Sequence, residues 1–174
     1  GEPSGRPAGV GKAGRDVVGV RGMGYGGLAV TGSDRVAFVD NAVSNRVQTA
    51  DGHGVYALLC DPQGGIETDM YVYNADERLL VFLPPERADP VREDWASKVF
   101  IQDVAVEDVS DELGVFGVHG PKSTEKIASV LAGPGAPEPP LTFVRGTMVD
   151  AGITVIATDA PLGEEGYEVV CAAA

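Results

Sequence analysis

The stretch Leu58–Phe82, LLCDPQGGIETDMYVYNADERLLVF, decides how this chain folds. Two apolar runs flank Asp61-Pro62-Gln63-Gly64-Gly65, and a second turn at Asn74-Ala75-Asp76-Glu77 leads into a third run. Turn residues between β-rich runs predict an antiparallel meander. Successive side chains of a strand point to opposite faces. On the middle strand Ile66, Thr68, Met70 and Val72 therefore share one face, and Glu67, Asp69, Tyr71 and Tyr73 share the other. The first face suits a core. The second is open to two readings, a solvated sheet face or one wall of a site for a flat, polar heterocycle. Such a ligand needs acceptors for its ring N–H groups and apolar edges that exclude water.

Upstream, Val55–Cys60 is the first strand of the meander, reached through the loop Asp51-Gly52-His53-Gly54. Before it, Ser33 is placed to cap a helix over Asp34–Ala42, with Asp34 in its first turn. Val36, Val39 and Val43 form the apolar stripe of that helix, with Phe38 alongside. Gly22-Met23-Gly24-Tyr25-Gly26-Gly27 formally matches GxGxxG, but the strand Leu28–Thr31 follows it where a dinucleotide site requires a helix. Its glycines are read instead as letting the backbone approach a neighbouring strand or a ligand. Gly1–Arg15 shows no periodicity and is expected to be a mobile arm. Its Gly11-Lys12 fails as a phosphate loop, since Arg6 replaces the first glycine and Ala13 the metal-binding hydroxyl. Downstream, Pro84-Pro85 ends the third strand, and a helix is expected from about Asp89 to Lys98 with Trp95 as a core anchor. Val99–Val106 is expected to be a strand that alternates Phe100/Gln102 with Ile101/Asp103.

The second half echoes the first. Gly114–His119 reads as a strand, and Gly120-Pro121 opens a helix over Lys122–Leu131. After the Pro-rich linker Gly133–Pro140 come strands over Thr142–Val149, Ile153–Thr158 and Tyr167–Cys171. An internal duplication follows. The expected fold class is α+β, with duplicated ferredoxin-like lobes carrying antiparallel sheets. In outline, a flexible arm covers 1–16 and one domain covers 17–174. The first lobe spans about 26–106 and the second about 113–171, with ligands favoured at the seam.

The chain carries 26 acidic and 13 basic residues among its 174, a net charge of −13. Such a surface repels phosphate backbones and anionic lipid, so no nucleic-acid or membrane partner is expected. Because the acid is spread along the chain, adaptation to a high-salt cytosol is expected, where counterions screen the self-repulsion. No apolar run approaches membrane-spanning length, and the first residues lack a charged-then-apolar leader pattern. The expectation is a soluble, cytoplasmic protein, with Cys60 and Cys171 as buried thiols of a reducing compartment. His53 and His119 have no Cys or carboxylate at metal-ligand spacing, so no metal site is expected. No nucleophile elbow supports Ser/His/Asp chemistry. Gly163-Glu164-Glu165-Gly166 reads as a tight acidic turn that sends Tyr167 and Glu168 to opposite faces of the last strand.

Four motifs in register carry a resemblance. They are Gly32-Ser33-Asp34-Arg35-Val36, Gly64-Gly65-Ile66 with Asp69, Gly120-Pro121 opening a helix, and Gly163-Glu164-Glu165-Gly166-Tyr167-Glu168. Together, from about Val17 to Cys171, they resemble the folate-binding domain of the aminomethyltransferases, the T-protein of the glycine cleavage system, here with a haloarchaeal-like acidity. The resemblance implies tetrahydrofolate as cofactor and a lipoyl-bearing H-protein as partner, with aminomethyl transfer and release of ammonia as the reaction. It puts the catalytic carboxylate on Asp69, with Thr68 where the family has a preceding aspartate, and the pterin anchor on Glu168. It places Tyr25, Tyr56 and Phe82 along the folate pocket. A glutamate can accept two hydrogen bonds from a pterin's amino and ring N–H groups. An aspartate beside the reduced folate's nitrogens can take a proton or stabilise developing positive charge.

The chain departs from the family at Ala160-Pro161-Leu162-Gly163, where an aromatic residue usually precedes the turn. It also lacks a counterpart of the C-terminal barrel that supplies a folate-contacting arginine. The expectation is therefore either a piece of a longer enzyme or a reduced relative that does not turn over alone. Three alternatives stand beside it. One is a non-catalytic folate-binding module, although the Lys-Gly-Cys-Tyr motif of the iron–sulfur-assembly relatives is absent. Another is the folate domain of a larger dimethylglycine- or sarcosine-demethylating enzyme. The last is a structural domain whose site has decayed.

Overall fold

Period-two apolar runs separated by Gly-, Asn- and Asp-rich turns give strands wherever a partner edge is in reach. In the computed structural model this yields an α+β fold with antiparallel sheets. The structure describes residues 19–22, 24–120, 122–133, 135–138, 140–148, 151–157 and 166–172. The chain divides into two units, one spanning Gly24–Glu112 and the other joining Leu113–Ala174 to the segment that ends at Met23.

The Gly24–Glu112 unit contains β2 (Gly26–Thr31), α1 (Arg35–Ala42), β3 (Gly54–Cys60), β4 (Ile66–Asn74), β5 (Leu79–Leu83), α2 (Pro85–Lys98) and β6 (Ala105–Asp108). The strands order as β3-β4-β5-β2-β6, every pairing antiparallel. One sheet face packs Leu28, Val30, Met70, Val72, Leu79 and Val81 against Val39 of α1 and Ala88, Val91 and Trp95 of α2. Trp95 is fully buried. Val36, Phe38 and Val43 close the edge of this core.

The other unit contains β1 (Gly19–Gly22), β7 (Leu113–His119), α3 (Ser123–Val130), β8 (Phe143–Met148), β9 (Ala151–Ala157) and β10 (Gly166–Ala172), ordered β1-β7-β10-β9-β8. Its core gathers Val118, Val155, Tyr167 and Val169 of the sheet with Ile127 of α3 and Leu131 just beyond it. The two sheets share one plan. In each, a first strand leads through a glycine into a helix, and a three-strand meander returns its last strand beside the first. Gly32 and Gly120 hold the matching corners at φ +104° and +123°, in the left-handed region where a side chain is strained. The fifth strand differs in origin. β6 follows α2 within its own unit, whereas β1 reaches β7 from the far end of the chain.

Several expectations require correction. The first helix starts at Arg35, and Ser33 does not cap it; the Ser33 hydroxyl and N–H both donate to Asp103 Oδ2, at 3.0 and 2.8 Å. The second helix begins at Pro85, four residues before the expected start, because proline at the first helical position has no N–H to leave unpaired. Val99–Val106 is not a continuous strand. Residues 100–104 bend and loop, leaving Phe100 91% and Ile101 93% exposed, and pairing begins at Ala105. Ile66 does not join the core face, being 66% exposed. A register shift sets Cys60 opposite Ile66 after Leu59 opposite Thr68, and such a bulge puts the strand end out of phase. Cys60 is exposed and Cys171 half-buried, both as free thiols. The close neighbour of Gly26 is a helix: a Cβ there would meet Ala88 Cβ at 3.0 Å and Pro85 Cα at 3.1 Å. The N-terminal arm and Gly163–Glu165 lie outside the described residues. Among the described residues no helix is long and apolar enough to cross a membrane.

Candidate functional site

The face of the Gly24–Glu112 sheet turned away from its helices carries the polar half of the alternation. Tyr71 of β4 stands opposite Phe82 of β5, and Asp69 precedes it by two residues on the same face of β4. Gly26 lets β2 begin directly against the first turn of α2, bringing Tyr25 to the end of β5. There Gly24, Tyr25, Asp69, Tyr71, Phe82 and Glu86 line a cleft of about 470 Å³, floored by Met70, Leu83, Pro84 and Pro85. Its size falls within the usual range of small-molecule sites.

The walls are aromatic. Tyr25 meets Phe82 edge-on at 6.1 Å, and Phe82 meets Tyr73 edge-on at 5.9 Å. Phe82 and Tyr73 are buried, which holds the ring series in place. The polar groups are two carboxylates, Asp69 and Glu86, with two phenols, and among the described residues no Lys, Arg or His lines the cleft. This arrangement repels a phosphate and accepts N–H donors. Behind Asp69, the phenol of Tyr56 donates to Oδ2 over 2.7 Å. That hydrogen bond, followed by burial and the neighbouring charge of Asp69 and Tyr71, pushes the Tyr56 phenol up to about 12.

The structure thus brings Asp69, Tyr25 and Phe82 to one cleft, with Tyr56 joined to it through Asp69. Glu168 lies on β10 of the other unit, half-buried between Gly117 of β7 and Ile156 of β9. Tyr167 turns inward to that unit's core, where its hydroxyl lies 2.7 Å from Thr124 Oγ1. Two polar lining residues, Tyr71 and Glu86, were not singled out as site residues in the sequence. Tyr71 was signalled by its i+2 spacing from Asp69, whereas Glu86 sits past the strand's end, where no periodicity marks it. A larger groove of about 810 Å³ runs between α1 and α2 on the helical side and holds none of the predicted residues. Lys98, which lines it, is paired with Asp94 at 2.9 Å. The groove is the more voluminous of the two, but the smaller cleft combines acceptors with an aromatic wall, so the chemistry points there. Among the described residues no three His, Cys, Asp or Glu side chains come together as a metal site.

Comparison with known proteins agrees with this architecture. Residues 12–174 match the family described as GCVT N-terminal domain. The aminomethyltransferase of Exiguobacterium sibiricum is 32% identical over 149 residues, covering 82% of this chain and 40% of that protein. The chain therefore spans about two-fifths of the length of such relatives. Among solved structures, the glycine cleavage system aminomethyltransferase T of Bartonella henselae superposes with a TM-score of 0.72 at 18% identity, covering 88% of this chain and 42% of that one. A heterotetrameric sarcosine oxidase chain from Corynebacterium sp. U-96 gives 0.63 at 15% identity, covering 92% and 78%. At these identities the two structures speak for the fold alone.

Proposed function

The chain belongs to the GCVT N-terminal domain family, and we propose that it is a folate-binding domain serving tetrahydrofolate-dependent one-carbon transfer of the aminomethyltransferase type. One observation supports this reading above the others: Asp69 shares a cleft with Tyr25, Tyr71 and Phe82. The residues suit a reduced pterin, since rings line the wall and carboxylates accept N–H groups. Tetrahydrofolate, when bound, supplies the nitrogens that receive the one-carbon unit. Asp69 accepts a proton at its carboxylate or stabilises positive charge beside it. Tyr25 and Phe82 exclude water from the cleft, and Glu168 is assigned the pterin's amino edge. The lipoyl arm of an H-protein is the proposed donor, with ammonia as the leaving product.

Titration with tetrahydrofolate, followed by intrinsic fluorescence, tests the reading. Saturable binding that is lost in Glu168→Ala supports it; no binding by the wild type sinks it. Asp69→Asn is expected to retain most of the affinity and to abolish ammonia release from aminomethylated H-protein. A second reading takes its motive from the sarcosine oxidase fold: the same domain serving a demethylating enzyme. Folate binding with no turnover of aminomethylated H-protein by the wild type favours that alternative.

A further inference from the structure

We propose that Tyr56 is a positioning residue for Asp69, standing outside the cleft and fixing which carboxylate oxygen is presented to a ligand. The consequence for turnover rests on the folate reading above; the geometry does not. Tyr56 faces Tyr71 across the β3–β4 ladder, and Asp69 faces Leu58, so Tyr56 and Asp69 are diagonal neighbours. Long aromatic side chains reach across that diagonal. The Tyr56 ring packs on Tyr71 with centroids 5.1 Å apart and planes tilted by 57°. Its hydroxyl meets Asp69 Oδ2 at 2.7 Å. Tyr71 and Asp69 line the cleft, whereas Tyr56 is not among its lining residues.

These three side chains form a relay of constraint. A half-buried aspartate on a strand samples several rotamers when nothing holds it. Here one ring fixes a phenol, and the phenol fixes Oδ2. The other oxygen, Oδ1, is left to accept from a bound ring nitrogen. The same bond, followed by burial, pushes the phenol up to about 12, so its proton stays on the oxygen at neutral pH. The donor therefore persists across the working pH range.

The test compares wild type, Tyr56→Phe and Asp69→Asn. Phenylalanine keeps the ring on Tyr71 and removes only the donor. In ultraviolet phenol titration the difference between wild type and Tyr56→Phe is expected to contain a phenol step at about 12. That step should move toward the ordinary tyrosine range in Asp69→Asn. In turnover, Tyr56→Phe is expected to lower kcat about tenfold, the effect of losing one hydrogen bond to a charged group, and to leave KM for tetrahydrofolate unchanged. A raised KM at unchanged kcat would mean that the phenol touches the ligand, and would overturn the inference. So would a Tyr56 ionisation indifferent to Asp69→Asn. If the wild type neither binds tetrahydrofolate nor turns over, the folate reading fails by itself. The inference then stands or falls on whether Asp69→Asn moves the phenol's titration.

Discussion

Asp103 shows how much one exposed side chain organises locally. Its Oδ2 accepts from the Ser33 N–H and hydroxyl, while its own N–H donates to Asp34 Oδ2 at 2.8 Å. The first turn of α1 is thereby tied to the loop before β6. Donation from the Ser33 backbone, and then from its hydroxyl, holds the Asp103 carboxyl below the usual aspartate range. A carboxyl lowered in the folded state stabilises above its unfolded pKa, near about 4, and the contribution is lost as pH falls through the lowered value. Ser33→Ala removes only the hydroxyl part. The variant should unfold at lower denaturant than wild type at about pH 6, with the gap narrowing at about pH 3. A gap that stays constant between the two would refute the link. The candidate site was partly legible at this scale. Alternation alone put Asp69 and Tyr71 on one face, but Tyr56 Oη on Asp69 Oδ2 depends on the β3–β4 register, which no local pattern states.

Among the elements, α2 was the more readable and the segment after it the less. Trp95 was expected in the core and is fully buried there, edge-on to Phe38 at 6.3 Å. Trp95→Ala should cost about 3–5 kcal/mol by opening a cavity. Phe100→Ser, at a ring 91% exposed, should change stability by no more than about 0.5 kcal/mol. Urea unfolding followed by far-ultraviolet circular dichroism distinguishes the two. Equal losses would place Phe100 in a core. The alternation over Val99–Val106 looked like a strand because periodicity reports spacing, not partners. Pairing to β2 spans only Ala105–Asp108, and the residues before it have no edge to join. The Ile66 phase error has the same origin, since a bulge is set by both strands together.

For the molecule as a whole, a net charge of −13 imposes self-repulsion that dissolved salt screens. The melting temperature should climb from dilute buffer to molar KCl. Equal melting temperatures across the series would remove the case for a high-salt habitat. The duplicated α+β plan was visible in the sequence because its signals are local: turn residues at fixed places, apolar periods of two, and a glycine before each helix. Those features act within a few residues and need no partner to be recognised. Contacts between distant segments decided the rest. β1 completes the sheet of β7 from the opposite end of the chain, Gly26 seats β2 on α2, and the β3–β4 register sets a phenol behind Asp69. Each pairs groups far apart in sequence, and which groups meet depends on the packing of whole sheets and helices.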